Sequence, residues 1–312
     1  MKRFVARHSP LFILAALCLL LAVMSPQFRS WANLQDVSGR TAVIGILAVG
    51  ELLVILTANI DLSVGSVAAV SSVVGCMAMK EWGLPVPLGV MAGMLTGLLC
   101  GCINGFFVTK GRIPAFIATL GMMMAARGAT LILSGGKPVF GLPPSFGWLG
   151  GSVVWWMPVC ITLAVVILFA VVLNMTRFGR ALYATGGSLQ AARLSGINVD
   201  RVRAMAFALC GLLAGAAGMI LASRTSVASP TAAEMYELDA IAACVIGGAS
   251  LMGGEGGAFA ALAGALIMMV LRNFCTLEDI NFYWQQVLVG SLVIALVFYD
   301  NRRKRKAGLL RD

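Results

Sequence analysis

The chain has 312 residues, 60% hydrophobic and 12% charged, with a formal net charge of +10. A soluble domain is about 45–50% apolar and about 25% charged, so this composition excludes one and points to a protein that crosses a membrane many times. The apolar runs suit helices rather than barrel strands, and the positive charge reads as the Lys and Arg that orient such helices, not as a nucleic-acid surface.

In chain order, residues 1–10 are basic (Lys2, Arg3, Arg7) and 11–24 is a first apolar span. Ala22-Val23-Met24 is a poor small-x-small cleavage pattern, so this span reads as a retained helix and not a signal peptide. A second span covers 41–58 and contains Glu51; the interruption Asn59-Ile60-Asp61-Leu62-Ser63 leads into a third that ends at Met79. The fourth and fifth cover 84–108 and 113–133, a glycine- and proline-rich loop fills 134–152, and the sixth covers 153–173. After the polar stretch 174–203 come 204–222, the short 240–252 closed by Gly253-Gly254-Glu255-Gly256-Gly257, then 258–271, 283–299 and a basic tail, 300–312. The expectation is one all-α, polytopic domain over 1–312 with about ten transmembrane helices. The shortest spans fall below the roughly 20 residues a bilayer core requires, and so read as discontinuous or enclosed by neighbours.

With both termini inside, the inside segments hold Lys2, Arg3, Arg7, Lys110, Arg112, the arginines of 174–203 and the tail cluster. Only Arg29, Arg40, Lys80, Lys137, Arg224 and Arg272 fall outside. That bias predicts N-in and C-in. Asp61 opens the third span from one side and Asp239 opens the eighth from the other, the relation of an inverted repeat that matches spans two to five with seven to ten.

Eight cysteines lie almost wholly in apolar runs and read as small packing residues. The single His8 cannot form a histidine cluster, and no metal site is expected. Gly89, Gly93, Gly97, Gly101 and Gly105 share one helical face, as do Gly211 and Gly215; the spacing suits close helix–helix contact. The polar groups Glu51, Asn59, Asp61, Ser63, Asn104, Arg127, Glu237 and Asp239 are candidates for a substrate path. A mid-bilayer charge costs roughly 2.5–3.5 kcal/mol and requires a partner or water. Amides, carboxylates and hydroxyls suit an uncharged, hydroxyl-rich solute such as a sugar. Against this stand local readings: Asp61 as a helix cap, and Arg127 snorkelling to the interface.

The stretch 174–203 carries five arginines against the single acid Asp200. Gly186-Gly187 turns the chain, Ser188 can cap a short helix over Gln190 to Leu194, and Gly196 can end it. Two readings remain: a connector held in place by its arginines, or a docking element. Gln190-Ala191-Ala192, three residues, then Gly196 resembles the Glu-Ala-Ala-x-x-x-Gly loop of bacterial ABC import permeases. The wider string from Gly179-Arg180 to Asn198 is similar to the ribose/xylose/galactoside branch, with Ser188-Leu189 where that branch commonly has Asn-Glu. Three further blocks are similar: Ile55 to Gly65, with Asn59 replacing a glycine; Pro114 to Gly121 followed by Ala126-Arg127-Gly128; and Tyr236 to Gly254, with Glu255 where a basic residue is common.

The resemblance implies a sugar-import permease in the bacterial inner membrane, in contact with lipid and paired with a second copy or a paralogue. It implies an ABC ATPase subunit docked on Gly186, Gly187, Ser188, Gln190, Ala191, Ala192, Arg193 and Gly196. It also implies a periplasmic sugar-binding protein outside, for which 134–152 and 224–239 are the expected docking loops. No cofactor is expected on this chain, and ATP and magnesium belong to the ATPase. That division agrees with the sequence, where Gly135-Gly136-Lys137-Pro138 lacks the Ser or Thr of a phosphate loop. No GxSxG elbow or HExxH helix occurs, so the chain reads as a transport subunit and not an enzyme. The rival is an ion-coupled secondary transporter of a small polar solute, with Glu51 and Asp61 as proton sites; dependence on ATP and a binding protein separates the two.

Overall fold

The computed structural model describes residues 2–306; Met1 and 307–312, the latter part of the expected tail, lie outside the described residues. The helices are α1 (Lys2–Met24), α2 (Trp31–Ile55), α3 (Val64–Lys80), α4 (Val86–Thr109), α5 (Ala115–Ser134), α6 (Gly147–Gly150), α7 (Met157–Met175), α8 (Arg177–Gly187), α9 (Leu189–Leu194), α10 (Val199–Thr225), α11 (Tyr236–Ile246), α12 (Ala258–Leu277) and α13 (Phe282–Lys306). Among the described residues the chain is all-helical apart from short 3-10 turns and one isolated antiparallel bridge, Val139 to Ala228. Among the described residues six helices, α2, α4, α5, α7, α10 and α12, are long and apolar enough to cross a membrane.

Two of them form the centre. In α2, 89% of the most apolar stretch is buried, against 17% in α5. A helix apolar on every face belongs inside a bundle. Gly50 of α2 lets the backbone of Cys210 on α10 approach directly. The glycine stripe of α4 does the same on a larger scale: Gly97 faces the carbonyl of Gly211 and the backbone of Gly215, and Gly101 faces Phe207 and Ala208 of α10. Leu95, Leu99 and Phe106 on the opposite face of α4 are exposed, as suits a surface turned to lipid.

Several boundaries move. Helix α2 begins ten residues before the expected 41, because Ser30 accepts the amide of Asn33 at 3.2 Å and Asp36 pairs with Arg40 at 2.7 Å one turn on. Arg224 of α10 also clasps Asp36, so these charges belong to a helix start and not to a loop. The stretch 174–203 holds two helices and the first turn of α10, not one helix in a loop. Gly186 and Gly187 close α8, and the chain breaks at the extended Ser188. The eighth span, expected over 240–252, is a helix of 11 residues, after which glycines at positive φ (Gly248, Gly253, Gly254, Gly256) carry an irregular segment. Arg272 and Asn273, expected in a loop, lie inside α12, where Arg272 pairs with Asp239 at 2.7 Å and Asn273 exchanges hydrogen bonds with Asn33 at 2.6 and 3.1 Å.

Candidate functional site

Two chain breaks organise the interior. The first, after α2, runs from Leu56 to Ser63 with Ala58 at φ 57°. The second, after α10, places Ser226, Ala233 and Met235 at φ 57°, 55° and 66°. Non-glycine residues in the left-handed region are costly, roughly 1–3 kcal/mol each, and persist where surrounding structure fixes them.

At the first break a buried polar network does this fixing. Glu51, Asp61, Ser63 and Asn104 are each 1% exposed or less. The Asp61 amide donates to Glu51 Oε1 at 3.0 Å. Asp61 Oδ1 accepts the Ser63 amide at 2.9 Å and its hydroxyl at 2.6 Å, which closes an Asx turn at the mouth of α3. Asn104 of α4 donates to Ser63 Oγ at 3.0 Å and reaches Asp61 Oδ2 at 3.4 Å. Asp61→Ala would strand the Ser63 amide and hydroxyl in the buried interior, a loss of about 2–5 kcal/mol. The thermal unfolding midpoint of the detergent-solubilised protein is expected to fall by several degrees; a midpoint equal to wild type would refute this role.

The second break comes to the same place. Gly65, the second residue of α3, lies against the Ala233 carbonyl and the Glu237 carboxylate, so α3 and α11 bring their N-terminal ends together. Arg127 of α5 donates to the carbonyls of Pro230 at 2.8 Å and Ala232 at 2.9 Å, holding the strained segment. Arg127 therefore turns inward rather than snorkelling. Glu51, Asp61, Ser63, Asn104, Arg127 and Glu237 thus form a contiguous series around the start of α3. Asn59 and Asp239 are not part of it. Asn59 folds back on Thr57 at 2.9 Å, and Asp239 pairs with Arg272.

One end of the bundle gathers every loop the charge count assigns to the inside. Arg112, in the turn between α4 and α5, pairs with Asp200 at 3.2 Å, and Arg193 of α9 reaches the same carboxylate at 3.7 Å. Gly254 donates to the Leu56 carbonyl at 3.1 Å, Tyr183 to the Gly256 carbonyl at 2.9 Å and Arg203 to the Thr57 carbonyl at 3.5 Å. The opposite end carries the Arg224–Asp36 pair, the Asn33–Asn273 exchange, the Val139–Ala228 bridge and Ser223, which accepts the Gly150 amide at 2.7 Å and donates to the Phe146 carbonyl at 2.5 Å.

Helix α9 sits on the surface of the first end. Ser188 accepts the Ala191 amide at 3.3 Å, Gly196 ends the helix at φ 80°, and Ile197 bonds back to Ala192 at 3.0 Å. Ala192 is buried, whereas Gly187, Ser188, Gln190, Ala191, Arg193 and Gly196 are exposed and Leu194 is 90% exposed. Of the expected docking residues Gly186, like Ala192, lies inward, against Leu56 and the Gly253–Gly254 backbone. Sequence reasoning missed Leu194 and Tyr183. Leu194 had a readable signal, an apolar residue in a basic polar loop, but Tyr183 depends on a segment 73 residues away.

A family model described as branched-chain amino acid transport system / permease component matches residues 33–297. The chain is 40% identical to the ribose import permease protein RbsC of Escherichia coli (strain K12), over 97% of this chain and 96% of that protein. It is 40% identical to the RbsC protein of Bacillus subtilis (strain 168), over 94% and 92%. It is 34% identical to the xylose transport system permease protein XylH of Escherichia coli (strain K12), over 90% and 87%. By that match across most of its length, on a helical bundle with six membrane-length helices, the chain belongs to the branched-chain amino acid transport system / permease component family.

Proposed function

We propose that this chain is the transmembrane subunit of a binding-protein-dependent ABC importer that moves a monosaccharide of the ribose class across the bacterial inner membrane. As a transport component it is not an enzyme; hydrolysis of ATP, with magnesium, belongs to a separate ATPase subunit. The observation that carries the reading is the 40% identity to a ribose import permease over 97% of the chain. It outweighs the amino-acid wording of the broader family description, because the curated relatives on both sides of the comparison are sugar permeases.

In this reading ten helices, α1 to α5, α7 and α10 to α13, cross or enter the membrane, with both termini inside. The clustering of the expected inside loops at one end supports that orientation. The parallel between α2–α3 and α10–α11, a long central helix followed by a strained break and a shorter helix with an acid near its start, supports the inverted repeat. The sugar passes beside the facing starts of α3 and α11, the arrangement of broken helices that transporters use at a midplane site. Asp61, Ser63, Asn104, Arg127 and Glu237 are the groups placed to meet hydroxyls there once the packed interior opens. The ATPase docks on α9, a periplasmic binding protein on the end that carries 134–152 and 224–239, and a second copy or paralogue completes the pair within the lipid.

Gly196→Asp tests the docking assignment. Position 196 has space for a side chain but a backbone at φ 80°, so the change distorts the end of α9 and leaves the bundle intact. The expected result is normal membrane insertion with ribose uptake uncoupled from ATP hydrolysis. Uptake at the unaltered rate would show that α9 is not the coupling element.

A further inference from the structure

Helix α8 is joined to α9 by the single extended residue Ser188, so the two helices are close to one mechanical unit. The inner end of that unit is Gly186. A Cβ at 186 would run into the Leu56 carbonyl, the Gly254 amide and the Gly253 backbone. The fit is reciprocal: a Cβ at 253 would lie 2.8 Å from the Gly186 Cα and from the Ala58 amide, and one at 254 would lie 3.0 Å from the Gly187 amide. Leu56 begins the break that leads to Asp61, whereas Gly253 and Gly254 lie in the segment that follows α11. The two segments are bonded to each other beside Gly186, from the Gly254 amide to the Leu56 carbonyl at 3.1 Å. One turn back along α8, Tyr183 bonds to the Gly256 carbonyl at 2.9 Å.

We propose that Gly186 and Tyr183 are positioning residues that pass the displacement of α9 at once to the break after α2 and to the glycine segment after α11. This deepens the importer reading and rests on it. The contact is backbone on backbone, so no flexible side chain can absorb the movement. Close-packed groups of this kind transmit displacement and switch between discrete arrangements rather than deform smoothly. A shift of Gly186 displaces the Leu56 carbonyl, and with it the five-residue path to the Asp61 network. The same shift displaces the glycine segment that separates α11, with Glu237 at its start, from α12. The break after α2 leads to the start of α3, and Glu237 at the far end of α11 lies against Gly65 there, so one push at α8 reaches both walls of the proposed path together.

The test uses the full importer, with this chain, its ATPase and its loaded binding protein in proteoliposomes. It reads radiolabelled ribose taken up per ATP hydrolysed, together with recovery of the ATPase on the purified chain. Gly186→Ala inserts the methyl group the contact cannot hold. The expected result is full ATPase recovery with uptake per ATP reduced about tenfold or more, within the range of a lost allosteric coupling. Tyr183→Phe adds no atom and removes one bond; uptake per ATP is expected to fall about two- to fivefold, again with full ATPase recovery. If Gly186→Ala does not reach the membrane, Tyr183→Phe decides the question. Unaltered uptake per ATP in the variants, beside a coupled unaltered chain, overturns the relay and leaves the importer reading in place. Failure of the unaltered chain to recover an ATPase or to take up sugar with ATP counts against that reading itself, and the relay falls with it.

Discussion

Leu194→Asp is expected to abolish stable association with the ATPase subunit and, with it, transport. Leu194 is 90% exposed on a six-residue helix whose inner face is closed by Ala192 at 3%. An apolar side chain held so far into water by a capped helix has no intramolecular role to lose. Burial of such a leucine in a partner's groove contributes about 1.5–3 kcal/mol, and a carboxylate in its place adds an unpaired charge to an apolar contact. Together these weaken binding by about 100-fold or more. Co-purification of the ATPase from detergent-solubilised membranes checks this, with ribose uptake as the second readout. Recovery of a stoichiometric ATPase on the Leu194→Asp chain would remove α9 from the interface. Arg193→Ala is the informative contrast, since its pair with Asp200 is half-exposed and worth at most about 1 kcal/mol.

Gly97→Leu is expected to prevent folding of the bundle. The residue lies where the backbones of α4 and α10 come nearest, opposite Gly211 and Gly215, each of which would itself collide with α4 if it carried a Cβ. No rotamer change relieves a contact between two backbones, so the helices must separate along their length. Overpacking of a tight site costs about 1–3 kcal/mol, and here the separation also opens the neighbouring Gly93 and Gly101 contacts, for an expected loss of at least about 3 kcal/mol. Size-exclusion profiles and the thermal midpoint in detergent check this. Leu95→Ala, on the exposed face of the same helix, is expected to stay within about 0.5 kcal/mol of wild type. Equal profiles for the two variants would mean that the glycine stripe does not hold α4 to α10.

The long helices were legible because composition and span length determine them directly. Helix α9 was legible because its cap, body and terminating glycine are adjacent in sequence. What could not be read depended on distant partners. Asp36 and Arg40 look like a loop until Arg224 arrives from α10 to balance them. Arg272 and Asn273 look like a helix end until Asp239 and Asn33 are seen to face them. Helix α8 was hidden for another reason: it is amphipathic, with Leu182 inward and Arg177 and Arg180 along its 11 residues, and a search for long apolar runs passes over so short and polar a helix. The candidate path was partly legible. Asp61, Ser63 and Asn104 announced themselves as polar residues in apolar runs, but only the fold separates them from Asn59 and Asp239, which satisfy local or peripheral partners instead.

The double grip of Asp200 on Arg112 and Arg193 has a consequence for the medium around the protein. Both guanidinium groups are at least half exposed, so mobile ions reach them, and the screening length, about 8 Å at physiological ionic strength, falls at about 1 M salt to about 3 Å, close to the 3.2 and 3.7 Å of these pairs. The seating of Ala192, by contrast, is indifferent to dissolved salt. Raising potassium chloride should therefore loosen the attachment of α9 to the turn after α4 while its apolar underside stays in place, leaving the small helix free to swivel but not to detach.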